Sequence, residues 1–105
     1  MNFRCRHRID EFTSVEVYRN DKAEHNERYA CLFSGKYYTH YDENTGERRS
    51  LCILCDPAGE TYRWKDEKRG RHLGVKMHWF QIPEGVKELV YYEYRRNIPC
   101  YGKGW

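Results

Sequence analysis

The chain has 105 residues, in which ten Tyr, four Phe and three Trp outnumber the sixteen Val, Ile, Leu and Met. Nineteen basic and sixteen acidic side chains leave a net charge of +3, too little for charge-driven disorder, and the rings can enclose a small core despite few aliphatics. The length suits one domain, the longest apolar run (51–55) is far short of the roughly 18 residues of a membrane span, and residues 1–10 carry Arg4, Arg6 and Arg8 without the apolar stretch of a secretory signal.

Five cysteines, an odd number, argue against a disulfide framework, so a reducing, cytoplasmic setting is expected. All of the positive excess lies in residues 51–105, with ten basic and seven acidic side chains.

Turn residues recur every ten to thirteen positions at Ser34-Gly35, Asn44-Thr45-Gly46, Asp56-Pro57-Ala58-Gly59, Arg69-Gly70 and Pro83-Glu84-Gly85, the spacing of an all-β chain. The first predicted strand is 12–18. Asn20 can cap a short polar turn over 21–28, and strands follow at 28–33 and 36–41. Thr45-Gly46 then closes a hairpin from 36–41 to 48–55. Leu51-Cys52-Ile53-Leu54-Cys55 does not alternate, which predicts a strand covered on both faces.

A second hairpin is expected to join 61–65 to 73–82 through the charged loop 66–71. Tyr62 and Trp64 would share one face of the first strand, and Leu73, Val75, Met77 and Trp79 one face of the second, as the central core. Over 85–97, Val86, Leu89, Val90 and Tyr94 lie near helical spacing, but Val86, Val90, Tyr92 and Tyr94 also share a strand face. The β-branched residues and Tyr91-Tyr92 favour a strand at 87–95. Together these predict a mainly β fold of about seven short strands with room for one short helix. The expected form is a small, partly closed barrel of SH3-like or OB-like type, or a two-layer sandwich. Residues 1–97 would form the domain, and 98–105, with Gly102, Gly104 and Trp105, a tail that docks or meets a partner.

Cys52 and Cys55 have the spacing of a zinc ligand pair that Cys5 and His7 could complete, with His72 and His78 as alternatives. Residues three apart in an extended strand point to opposite faces, however, so Cys31, Cys52 and Cys55 are better read as small buried hydrophobes. No cofactor is expected. The histidines, Cys5 and Cys100 form no recognisable nucleophile–base pattern, and no phosphate-loop glycine pattern occurs. A binding protein without catalytic activity is therefore expected.

Cations interleave with rings at Tyr62-Arg63-Trp64-Lys65, Lys68-Arg69-Gly70-Arg71 and Tyr91-Tyr92-Glu93-Tyr94-Arg95-Arg96. Arg63, Lys65, Lys68, Arg69, Arg71, Arg95 and Arg96 suit phosphates, rings beside them suit unpaired bases, and Arg4, Arg6 and Arg8 add a second basic edge. Tyr37, Tyr38, Tyr41, Tyr91, Tyr92 and Tyr94 exceed what one small core can enclose. Nucleic acid is the preferred partner. The alternative is a protein-interaction module, such as an adaptor, an assembly subunit or a small inhibitor of a host enzyme, using Tyr, Trp and Arg as contact residues.

Overall fold

The computed structural model describes residues 5–35 and 38–102, and among them no helix is long and apolar enough to cross a membrane. Arg4, Tyr37 and Trp105 lie outside the described residues, as do the side chains of His40 and Cys100. Seven strands, β1 (Arg6–Arg8), β2 (Thr13–Arg19), β3 (Tyr29–Gly35), β4 (Thr39–Asp42), β5 (Glu47–Cys55), β6 (Tyr62–Glu67) and β7 (Val75–Met77), precede one helix, α1 (Glu84–Gly102). Short 3-10 turns occupy His25–Glu27, Arg71–Leu73 and Trp79–Gln81.

All seven strands belong to one antiparallel sheet. β1 and β7 lie end to end along the same edge of β2, opposite positions 14–16 and 17–19. β3 and β4 likewise share one side of β5, and β6 lies on its other side.

The mainly β class is as expected, but the sheet stays open instead of closing into a barrel, and a helix supplies the second layer. The 36–41 to 48–55 hairpin is present as β4–β5. The second hairpin is not. β6 returns on β5 through a turn in which the Asp56 carboxylate accepts the backbone N–H groups of Ala58 (3.0 Å), Glu60 (2.9 Å) and Thr61 (3.3 Å). That turn sets β6 on β5, and of the 73–82 segment only β7 is extended, pairing with β2 instead of β6. Val75 is exposed and Leu73 joins the opposite face from Met77, so the four-residue core stripe predicted there does not form.

The largest departure is at 87–95, where the predicted strand is the middle of α1. Val86, Leu89, Val90 and Glu93 are all buried, a stripe at helical spacing against the sheet. Its fourth member is a carboxylate, which pattern reading assigns to solvent. Glu93 accepts hydrogen bonds from the Tyr62 hydroxyl (2.8 Å) and the Trp64 indole (3.3 Å), clamping α1 to β6. The helix start also meets the Asp56 turn closely. A Cβ on Gly59, where φ is +71°, would collide with the Gly85 carbonyl, and one on Gly85 with the carbonyl of Ala58. The backbone remains helical through Gly102, past position 98 where the sequence suggests a tail.

Register sorts the rest. Val15, Val17, Cys31, Phe33, Ile53 and Cys55 face α1, while Tyr18, Ala30, Leu32, Cys52 and Leu54 face away and are covered by Leu73. The run 51–55 is thus covered on both faces, as its lack of alternation predicts. Glu93→Ala should lower unfolding free energy by about 2–3 kcal/mol, because two donors lose their charged acceptor. Urea unfolding followed by circular dichroism reads this, and a variant as stable as the parent would mean that Glu93 does not hold the helix.

Candidate nucleic-acid interface

The face turned away from α1 carries a row of hydroxyls that no stretch of sequence displays. Pairing places Ser14 opposite Ser34 and Thr39 opposite Ser50, so β2, β3, β4 and β5 each contribute one. Alternation keeps all four on the side of Leu32 and Cys52. Thr39 and Ser50 hydroxyls are 3.3 Å apart, and Arg69 donates an N–H to Ser34 Oγ at 3.3 Å. Arg8 extends the row beyond Ser14, and Arg48 and Tyr41 form the next pair beyond Thr39 and Ser50.

Next to this row lies Glu16, whose side chain is 2% exposed. Three cations converge on it: Arg69 at 2.7 Å, Lys76 at 3.1 Å and Arg6 at 3.6 Å. Burial works to raise the Glu16 carboxyl, but Lys76, Arg69 and Arg6 outweigh it and hold the group below the usual carboxylate range. The Tyr18 hydroxyl, 3.4 Å from Glu16, is pushed up to about 12 by burial and by that carboxylate, so it stays a proton donor. One carboxylate cannot neutralise three cations, and Arg8, Arg48 and Arg71 have no acidic partner among the described residues.

Three hollows line this face in series. One of about 440 Å³ includes Arg6, Arg8, Ser14 and Ser34, together with Asp10, whose carboxylate takes the Tyr94 hydroxyl, and Glu11. A second of about 400 Å³ shares Ser34 and adds Thr39, Arg48, Ser50, Lys68 and Arg69. The third, about 250 Å³, shares Arg69 and adds Tyr18, Arg71 and Lys76. Hydroxyls and guanidinium groups along a shallow track are the donors that take phosphate oxygens.

Of the cations singled out in sequence, Lys68, Arg69 and Arg71 line this track, as do Arg6 and Arg8 of the second basic edge. Arg63 and Lys65 share the face but pair with Glu27 (2.8 Å) and Glu67 (3.1 Å). Lys68 also reaches Glu47 at 2.7 Å. Arg95 and Arg96 are on α1, the other layer, over the rings of Tyr91 and Tyr92.

The tyrosines divide similarly. Tyr38 is buried against Phe33, Tyr91 bonds His7, and Tyr94 bonds Asp10, leaving Tyr41 (59% exposed) and Tyr92 (49%) open. Only Tyr41 is on the hydroxyl face. Arg48, Lys76, Glu16 and the hydroxyls escaped sequence reading. The one available signal was the alternation of Ser14, Glu16 and Tyr18 with Val15 and Val17.

The zinc candidates are not brought together. Cys52 and Cys55 point to opposite faces, His7 Nε2 meets the Tyr91 hydroxyl at 2.8 Å, and Cys5 Sγ lies 4.0 Å from His78 Nδ1. His72 pairs with Glu67 at 3.0 Å. Among the described residues no three potential ligands cluster. Burial pushes the Cys52 thiol up to about 12, and the hydrogen bond with Cys55 together with burial raises Cys31, so both remain protonated.

Because the Glu16 carboxyl is depressed in the fold, its contribution is complete above the unfolded value of about 4.3 and is lost as pH falls through the folded one. Glu16→Gln should cost about 1–2 kcal/mol at pH 7, discounted because Arg6 and Arg69 are nearly half exposed, and should flatten the acid limb of the stability curve. Urea midpoints at pH 7 and pH 3 test this, and an unchanged acid limb would assign the titration elsewhere. No family model, no curated protein and no solved structure matches the chain, so the geometry of this face carries the functional argument.

Proposed function

We propose that the hydroxyl-bearing face of the sheet binds the sugar–phosphate backbone of single-stranded nucleic acid. The observation that carries this reading is the row Ser14, Ser34, Thr39 and Ser50 bracketed by Arg8, Arg48 and Arg69 along connected hollows. Phosphate oxygens take charge-assisted bonds from arginine and ordinary ones from hydroxyls, and both donor types are already in place. A single strand is favoured over a duplex because exposed rings lie beside the track. Tyr41 stands beside Arg48, and Phe12 lines the hollow that contains Arg8. Backbone contacts of this type position a strand without selecting its sequence, so RNA and DNA are both accepted. Reduced, protonated thiols suit a cytoplasmic setting.

A protein partner is the second reading, favoured by Phe80 and Val75, which are 77% and 64% exposed. Retention of a stoichiometric protein after nuclease treatment would support it.

Fluorescence anisotropy with a labelled oligonucleotide separates the readings. With about four phosphates neutralised, log affinity should fall with log salt at a slope near −3. Arg8→Ala and Arg48→Ala should each reduce that slope by about 0.7, whereas Arg95→Ala on the helix should leave it unchanged. Absence of binding at low salt would overturn the nucleic-acid reading.

A further inference from the structure

The hollow at the end of the track differs from the two before it. It is the smallest of the three, about 250 Å³, below the usual range for drug-sized ligands of about 300–1,000 Å³. Its cations are Arg69, Arg71 and Lys76, with the protonated Tyr18 hydroxyl on its wall and no carboxylate in its lining. Glu16 lies behind, shared among Arg6, Arg69 and Lys76. In this hollow Arg69, Arg71 and Lys76 face that one carboxylate, an excess of two positive charges. A phosphodiester brings one negative charge, whereas a phosphomonoester brings about −1.5 to −2 at pH 7.

The track also stops here. Past Leu73 the next hollow is lined by Glu27 and Glu67, already paired with Arg63, Lys65 and His72, so its lining offers no unpaired cation to a continuing backbone. The turn that closes the end is held by Gly74, at φ +116°, where a Cβ would collide with the carbonyl of Arg19.

We propose that this terminal hollow seats the phosphomonoester at one end of a nucleic-acid strand, so that the protein prefers phosphorylated ends to hydroxyl ends. The inference rests on the backbone-binding reading and adds a ligand class to it. Arg71 is the discriminating residue, since it alone of the three cations has no carboxylate partner.

The test uses oligonucleotides of one sequence with a 5′-phosphate, a 3′-phosphate or hydroxyls at both ends, compared at fixed salt. One phosphorylated form should bind about tenfold more tightly than the hydroxyl-ended strand, the size of one added charge-assisted bond. Arg71→Ala should abolish that preference, read as the ratio of phosphorylated to hydroxyl-ended affinity, whatever the substitution costs both strands alike. Arg71 is exposed and unpaired, so this variant keeps the fold. Equal affinity for all three strands, or a preference that survives Arg71→Ala, would overturn the end-binding inference and leave backbone binding standing. A nucleoside monophosphate that binds as tightly as the phosphorylated strand would overturn the strand-end assignment. Failure of every strand to bind would overturn both readings.

Discussion

The register that sets Val15 opposite Phe33 and Cys31 opposite Ile53 governs the whole molecule, because it decides which side chains of β2, β3 and β5 meet the helix. Side chains alternate with a period of two, so a slip by one residue would turn the core outward and drive Glu16 and Ser14 beneath α1. Burial of Val15, Val17, Phe33, Ile53, Val86 and Val90 on one side makes that slip costly. The hydroxyl row on the other side follows from the same pairing.

Besides Asp56 in its turn, Glu16 and Glu93 are buried on opposite faces of the sheet and do different work. Glu93 takes neutral donors from β6, with Arg96 of its own helix 3.7 Å away, and fastens the helix to the sheet. Glu16 gathers Arg6, Arg69 and Lys76 from three separate segments and leaves their charge in excess. Mutual repulsion among these cations is offset by the carboxylate, which keeps them close together without a ligand. Such preorganisation lowers the ordering cost when an anion arrives.

The abundance of tyrosine has a mainly structural explanation. The His7 ring stacks on Trp79 at 3.9 Å and bonds Tyr91, which joins the short β1 to the helix layer. Burial, with Lys87 nearby, lowers the His7 pKa and favours the neutral ring. Tyr94 ties the loop at Asp10 to α1, and Tyr38 closes the core beside Phe33. Rings that look like a surplus binding surface in sequence are thus the bolts between a thin sheet and its single helix. Their hydroxyls find polar partners where aliphatic side chains would offer none.

Local chemistry in the sequence determined much of the sheet: the turns at Gly35, Gly46 and Gly59, the β4–β5 hairpin, and the doubly covered strand at 51–55. These depend on neighbouring residues, whose turn preferences and alternation are legible without the fold. Three things were decided only in three dimensions. Residues 87–95 became helix because Glu93 found Tyr62 and Trp64, partners about thirty positions away. β6 paired with β5 through the Asp56 turn, while β7 paired with β2, a strand about sixty positions earlier. The hydroxyl and cation track arose from four strands in register, each contributing one small polar residue that carries no signal alone. Pattern reading sees periodicity along the chain, whereas a binding face is assembled across it.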